Sequence, residues 1–395
     1  MLKNKPNYAF WILPIAVYGM VFGFAEIIAL AGNCFGWWEN CWSRQDSGLY
    51  LEIAQQGHTL THCGTENGYE EGSDKWCGNA GWAPFYPLLM FVFNKITSLP
   101  LPVCGVLISH VCFLTYLYVC SSLIEIRSWN FSNWLTLLLC AIIPGGFYFF
   151  AIFPMSLVVL LISLLFWSIQ KNQWQLAGIS AFILALSYSS ALVIFFCFGV
   201  FLVFLFFKNY EGRNLKTFGT EIKKQVSAGN LFRPVLTRIF LPGILGLLVL
   251  YSYDYLVTGH WDAMFKVQSK YGHLLYSPFK HLGGHFKLFV EHKNTNLAWI
   301  DFHNIFFFFA IPVLIMGILK SKGPMIPLIV IFMLIMWYIP FSIGINVSLY
   351  RGISLLAPCM VFLHPLSSIK KLSILVVFGV FYYFLGELFI LSILK

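Results

Sequence analysis

The sequence predicts an all-α, polytopic integral membrane protein folded as a single domain over residues 1–395. Three observations carry that prediction. Of the 395 residues, 59% are hydrophobic and only 10% charged, so a soluble fold would leave large apolar patches facing water. The apolar residues fall in runs long enough for a hydrocarbon core, which about 20 helical residues cross. The formal charge of +9 sits in short Lys/Arg clusters between those runs, where it sets topology. The expected partner is therefore the lipid bilayer, and no nucleic acid is expected.

Lys3 and Lys5 precede the first run, Tyr8 to Ala31. No small-residue cleavage site follows it, so it reads as an uncleaved span. A large polar loop comes next, residues 32–84, carrying Asp46, Glu52, Glu66, Glu70, Glu71 and Asp74 and closing on Trp82-Ala-Pro-Phe-Tyr-Pro-Leu88. Further apolar runs occupy 85–96, 101–123, 134–152, 156–169, 176–207, 239–257, 305–319, 325–345, 353–366 and 372–394. The run 176–207 is too long for one span, and Ser187-Tyr-Ser-Ser190 marks a break. If 85–96 lies in the interface or re-enters it, Arg127, Lys171 and the basic segment 208–238, with Lys216, Lys223, Lys224 and Arg233, all face the cytoplasm. The positive-inside rule prefers that map, which has about eleven spans. Residues 32–84 and 258–303 then lie outside.

Cys34, Cys41, Cys63 and Cys77 fall in the first outer loop, where disulfides are permitted. Sequence leaves their three complete pairings open. Cys104, Cys112, Cys120, Cys140, Cys197 and Cys359 lie in apolar runs and read as packing residues. His58, His62, Cys63 and Cys77 have irregular spacing for zinc. Asp46, Glu52 and Asp74 are hard oxygen ligands that suit a divalent cation, although they form no recognised loop motif.

The second outer segment adds His260, Asp262, Lys266, Lys270, His273, His281, His285 and His292, and Arg351 follows Ser348-Leu-Tyr350. Acid, base and aromatic groups thus meet at one membrane surface, as an enzyme acting on a lipid-linked substrate requires. Glycosyl transfer outside the cytosol needs a base for the acceptor hydroxyl and cations for the departing phosphate. Asp46 suits the base. Arg351, Lys266 and Lys270 suit the phosphate, and the two lysines, four apart, would share a helix face. Plainer roles stand beside these. Asp46 is a good N-cap for a helix starting near Ser47, and Arg351 can anchor topology or pair with a loop carboxylate. Trp82, Phe85 and Tyr86 suit an aromatic belt, a sugar or a prenyl chain.

The stretch Asp46-Ser-Gly-Leu-Tyr-Leu-Glu-Ile-Ala-Gln-Gln-Gly-His58, followed by Trp82-Ala-Pro-Phe-Tyr-Pro-Leu88, resembles the first-loop signature of the PIG-V-like mannosyltransferases. Phe147-Tyr-Phe-Phe-Ala-Ile-Phe-Pro-Met-Ser156, Thr258-Gly-His-Trp-Asp-Ala-Met-Phe-Lys-Val-Gln268 with Tyr271, and Tyr350-Arg-Gly-Ile-Ser-Leu-Leu-Ala-Pro358 continue the likeness in order. The resemblance implies a GT-C fold and inverting transfer of a hexose, mannose above all, from a polyprenyl- or dolichyl-phosphate donor. The acceptor would be a glycan, glycolipid or protein, and a membrane partner subunit is a feature of some enzymes of this class. It makes Asp46 the general base, places Gln268 and Arg351 at the donor phosphate, and puts Glu52, His58, Trp82, Tyr86 and Tyr271 along the substrate. Three positions depart from the pattern: Gln45 replaces an aromatic, Pro154-Met-Ser156 a Thr-Glu-Ser-like triplet, and Tyr188-Ser-Ser-Ala191 an Arg-Ser-x-Gly-like one.

The compact length suggests a bacterial cytoplasmic membrane with the site facing the periplasm, the lumenal face of the endoplasmic reticulum being the alternative. A lipid-linked sugar transporter or flippase is the competing reading, and would need charged groups along its spans, where Glu26 and Glu387 stand out. A noncatalytic scaffold would tolerate loss of Asp46.

Overall fold

The computed structural model describes residues 8–34, 38–65, 68–70, 73–208, 231–271, 276–343 and 348–394. Lys3, Lys5, Glu66, Glu71, Lys216, Lys223, Lys224 and His273 lie outside the described residues. Among the described residues helix predominates, with one short two-stranded hairpin. The helices are α1 Tyr8–Ala31, α2 Trp38–Trp42, α3 Ser47–Gln56, α4 Phe85–Thr97, α5 Leu101–Leu123, α6 Phe131–Ala141, α7 Met155–Lys171, α8 Trp174–Ser187 and α9 Ala191–Lys208. After them come α10 Phe232–Thr258, α11 Ala263–Ser269, α12 Pro278–His292, α13 Ala298–Ile318, α14 Ile326–Ile343, α15 Leu349–Ser354 and α16 Ser368–Ile390. The strands β1 Thr61–His62 and β2 Trp76–Cys77 pair antiparallel, Thr61 opposite Cys77.

Seven of these helices, α1, α5, α9, α10, α13, α14 and α16, are long and apolar enough to cross a membrane. α4, α6, α7 and α8 are apolar but shorter. The break expected inside 176–207 falls at Tyr188 to Ser190, between α8 and α9. Two apolar runs expected as continuous spans are instead broken. Within 134–152, Pro144-Gly145-Gly146 ends α6's course and a 3₁₀ turn, Gly146–Phe149, follows. Within 353–366, α15 gives way to a 3₁₀ stretch, Ala357–Leu363, with Pro358 at its start. Hydropathy registers how apolar a run is but not whether its backbone holds the helical i to i−4 ladder, and proline interrupts that ladder.

Irregular backbone in an apolar setting is tolerated where protein groups satisfy it. Residues 147–153 are buried at the centre of the molecule, and other elements supply their partners. Ser109 Oγ sits 2.8 Å from Ala151 O and 3.3 Å from Phe153 O, and Ile152 N donates to Trp42 O at 3.0 Å. The rings of Phe147, Tyr148 and Phe149 pack against α16 and α5 through Phe389, Tyr382 and Phe113. Around this hub α5 packs on α7, α7 on α8 and α8 on α10, while α1 lies against α5, α6 and α16.

Lys371, fully buried near the start of α16, donates to His364 O at 2.9 Å and Thr136 Oγ1 at 3.1 Å, and also to Ser132 Oγ. A buried ammonium needs several acceptors to replace lost water. Here they come from α6 and from the end of the 3₁₀ stretch, so the lysine fastens both to α16.

The outer-loop cysteines pair as Cys34–Cys41 and Cys63–Cys77. The second bridge staples the β1–β2 hairpin. Gly78 makes that hairpin possible: its φ is +116°, and a Cβ there would stand 2.3 Å from Thr59 O. Replacing Cys63 and Cys77 together by serine is expected to lower the hairpin's local stability by about 3 kcal/mol, the entropy of freeing a loop of this length. Limited proteolysis should then cut between the two positions, whereas the oxidised wild type resists.

Candidate active site

The site is built where α3 starts. Gln45 adopts a left-handed φ of 57°, a conformation costing about 1–2 kcal/mol for a residue with a Cβ. Such strain tends to sit beside functional groups. Asp46 follows at the N-cap position of α3, yet its side chain makes no capping hydrogen bond. Its Oδ2 instead receives a hydrogen bond from Arg351 Nη1 of α15, 305 residues away. The plainer reading of Arg351, a partner for a loop carboxylate, therefore involves Asp46 itself. The pair is partly covered, with side chains 18% exposed for Arg351 and 23% for Asp46. Among the described residues Asp46 Oδ1 has no hydrogen-bond partner, so one carboxylate oxygen stays available.

Arg351 is fixed from several sides. Nη2 donates to Ser348 Oγ at 2.9 Å, and the guanidinium carbon lies 5.8 Å from the ring centres of both Tyr148 and Phe153, within the range of a cation–π contact. Tyr350 stacks parallel on Tyr148, centroids 6.1 Å apart. Gly145 brings these parts together. Its φ is +80°, and a Cβ would meet Tyr350 O at 2.2 Å, so only glycine lets α15 rest on the buried turn. Tyr50, Tyr188 and Tyr271 also lie within electrostatic reach of both Asp46 and Arg351.

The two lysines diverge. Lys270, just past α11, lies within electrostatic reach of Asp46; burial pushes its pKa below the ordinary lysine value and the aspartate opposes that shift. Lys266 turns to the stapled hairpin: its Nζ is 2.6 Å from His260 Nδ1, 3.4 Å from Asp262 and 4.8 Å above the Trp76 ring. Gln268 Nε2 donates to Gly81 O at 3.2 Å, tying α11 to the first outer loop.

Of the residues expected along the substrate, Tyr271 is exposed and joins the site. Tyr86 is fully buried and acts as a strut, its hydroxyl 2.8 Å from Gly105 O and 2.9 Å from Ser109 Oγ. Glu52 accepts from Gln56 Nε2 at 2.9 Å, along its own helix. His58 is buried between the first outer loop and α10, with Nδ1 2.7 Å from Asp254 of α10 and Nε2 2.9 Å from Trp82 O. A carbonyl only accepts, so Nε2 carries a proton and a second proton lies between Nδ1 and the carboxylate. His58 and Trp82 thereby join the far end of α3 to α10 and hold the helix that bears Asp46. Among the described residues no three of His, Cys, Asp and Glu gather as metal ligands.

Tyr148, Phe153, Ser348 and Tyr350 were not singled out in sequence as site residues, although Tyr148, Phe153 and Tyr350 stand in the segments that carry the resemblance and Ser348 just precedes the last of them. Asp254 was missed as well; a carboxylate inside an apolar run was its available signal. Neither a family model nor a curated protein matches this chain.

Proposed function

We propose that the protein is a GT-C-like membrane glycosyltransferase of about eleven membrane segments, moving a hexose, mannose first, from a polyprenyl-phosphate carrier to an acceptor outside the cytosol. The observation that carries this reading is the pairing of Asp46 with Arg351 beside Lys270 in an aromatic surround. In the resting pair the guanidinium occupies Asp46 through Oδ2. A donor phosphate offers Arg351 a better-matched, doubly oxygenated partner. Once the phosphate takes the guanidinium, Asp46 is released from it and draws the proton from an acceptor hydroxyl at Oδ1. That hydroxyl attacks the anomeric carbon, the bond to the lipid phosphate breaks, and Arg351 with Lys270 holds the charge that leaves. An apolar groove of about 400 Å³, lined by Ile53, Ala54, Phe85, Leu186 and Tyr253 among others, flanks α3 and suits a prenyl chain.

The flippase reading has less support. Of the in-span carboxylates, Asp254 is held by His58 and Glu26 accepts from Trp42 Nε1 at 3.3 Å, which ties these two to their neighbours and leaves Glu387 of α16 as the group a pathway would use. We place the enzyme in a bacterial cytoplasmic membrane with the site facing the periplasm. The test is transfer of labelled mannose from short-chain polyprenyl-phosphate mannose into membrane glycolipid or glycoprotein by the purified chain. Transfer supports the reading; no transfer from any polyprenyl-phosphate hexose removes it.

Lys270 gives the reaction a pH signature. Below its lowered pKa the ammonium is present and grips phosphate; as pH rises through that value, short of the usual 10.5, the charge is lost. Donor KM is therefore expected to rise on the alkaline side. Lys270→Arg should move that limb to higher pH, since guanidinium stays protonated. Identical alkaline profiles for both proteins would exclude Lys270 from the phosphate site.

A further inference from the structure

Helix α12, Pro278–His292, serves neither the pair at Asp46 nor a span, and its side chains divide into three sectors. With 3.6 residues per turn, His281, His285 and His292 share one sector, Phe279, Phe286 and Val290 lie about 140° round from it, and Lys280, Lys287 and Glu291 about 100° further. The histidine sector faces protein. His281 and His285 are buried, and Asp301 of α13 takes His285 Nδ1 at 3.1 Å and His292 Nδ1 at 2.9 Å. The aromatic sector is largely open in the described chain: Phe279 is 68%, Phe286 47% and Val290 63% exposed, with Phe279 meeting Phe308 at 5.5 Å by one edge. The third sector is charged and open, Lys287 pairing with Glu291 at 3.8 Å.

The position of the helix says what covers the aromatic sector. α12 lies on the connection between two membrane-length helices, α10 ending at Thr258 and α13 starting at Ala298. Its last residue, His292, is only a short turn from Ala298. A segment placed so close to the start of a span is at the bilayer boundary. There an apolar flank beside a lysine flank matches acyl chains beside headgroup phosphates.

We propose that α12 lies flat in the headgroup layer of the bilayer, with Phe279, Phe286 and Val290 set into the acyl-chain boundary and Lys280 and Lys287 at lipid phosphates. The helix is held at that depth by its histidine face. Leu282 extends the link, packing in one cluster with Ile305, Phe308, Phe341 and Leu349. Leu349 opens the helix that bears Arg351, so the lipid surface sets the height of that arginine relative to the membrane. The inference stands on the helix itself and does not depend on the glycosyltransferase reading.

Photo-crosslinking of the full chain in liposomes of phosphatidylcholine and phosphatidylglycerol tests it. The crosslinker p-benzoylphenylalanine replaces Phe279, Phe286, Val290, Lys280 or Lys287 in turn. All five positions are on the surface, so each variant should keep the wild-type unfolding temperature. Lipid adducts at 279, 286 and 290, in clearly higher yield than at 280 and 287, are expected. Adducts to a second polypeptide at the three apolar positions would overturn the proposal in favour of a protein partner. Equal yields at all five positions would overturn the flat orientation in favour of a helix surrounded by lipid, and none at any would overturn it in favour of a helix standing in water.

Discussion

Asp46→Asn is expected to lower mannosyl transfer by about 10²–10⁴-fold, the range associated with loss of a positioned general base, while leaving the unfolding temperature close to wild type. The amide is the same size as the carboxylate and still offers an oxygen to Arg351 Nη1, so the link between α3 and α15 persists without its charge. Donor binding should be kept or tightened, because Arg351 no longer has to leave a carboxylate to reach the phosphate. Arg351→Lys should behave differently. It retains a charge but loses the fork that reaches Asp46 and Ser348 together, so donor KM should rise along with a fall in kcat. Turnover and donor affinity measured on both variants separate the two roles. Wild-type turnover in Asp46→Asn would remove the base assignment outright.

The largest effect on stability is expected at Asp254. It and His58 are almost wholly sealed from water, and the carboxylate oxygen Oδ1 faces His58 Nδ1 at 2.7 Å. Removing one partner of a buried charged pair costs about 3–5 kcal/mol, since the other is left without compensation. Asp254→Leu should therefore loosen the end of α3 and lower activity through the misplaced Asp46. The double variant His58→Leu with Asp254→Leu should be more stable than Asp254→Leu alone, because two apolar groups leave no orphan. Thermal unfolding of the two singles and the double decides this. Strictly additive losses would show that the two residues do not act as a pair.

Part of this site was legible before any coordinates. A carboxylate in a polar loop between apolar runs singles out Asp46, the same logic draws attention to Arg351 and Lys270, and the resemblance adds Tyr271. Sequence did not separate Lys270 from Lys266, because four-residue spacing places them on neighbouring turns without saying where the helix sits. The helix ends at Ser269, and Trp76, His260 and Asp262 claim Lys266. Nor did it separate contact from support: His58, Trp82 and Tyr86 lie in the loop signature, but their partners Asp254, Gly105 and Ser109 come from helices whose packing no local pattern encodes.

What the sequence by itself determined is the class of the molecule: an all-α chain with helices long enough for a membrane, a break near Ser187 to Ser190, and an acidic, cysteine-bearing loop after the first helix. Composition and periodicity are local, and the cost of exposing apolar surface or unpaired backbone acts on each segment wherever it lies. Only the tertiary structure decided which cysteines join, where Pro144 and Pro358 turn apolar runs into buried bends, and that the guanidinium beside Asp46 comes from 305 residues away. Those outcomes depend on which surfaces meet, and the free energy of a meeting belongs to two distant segments together.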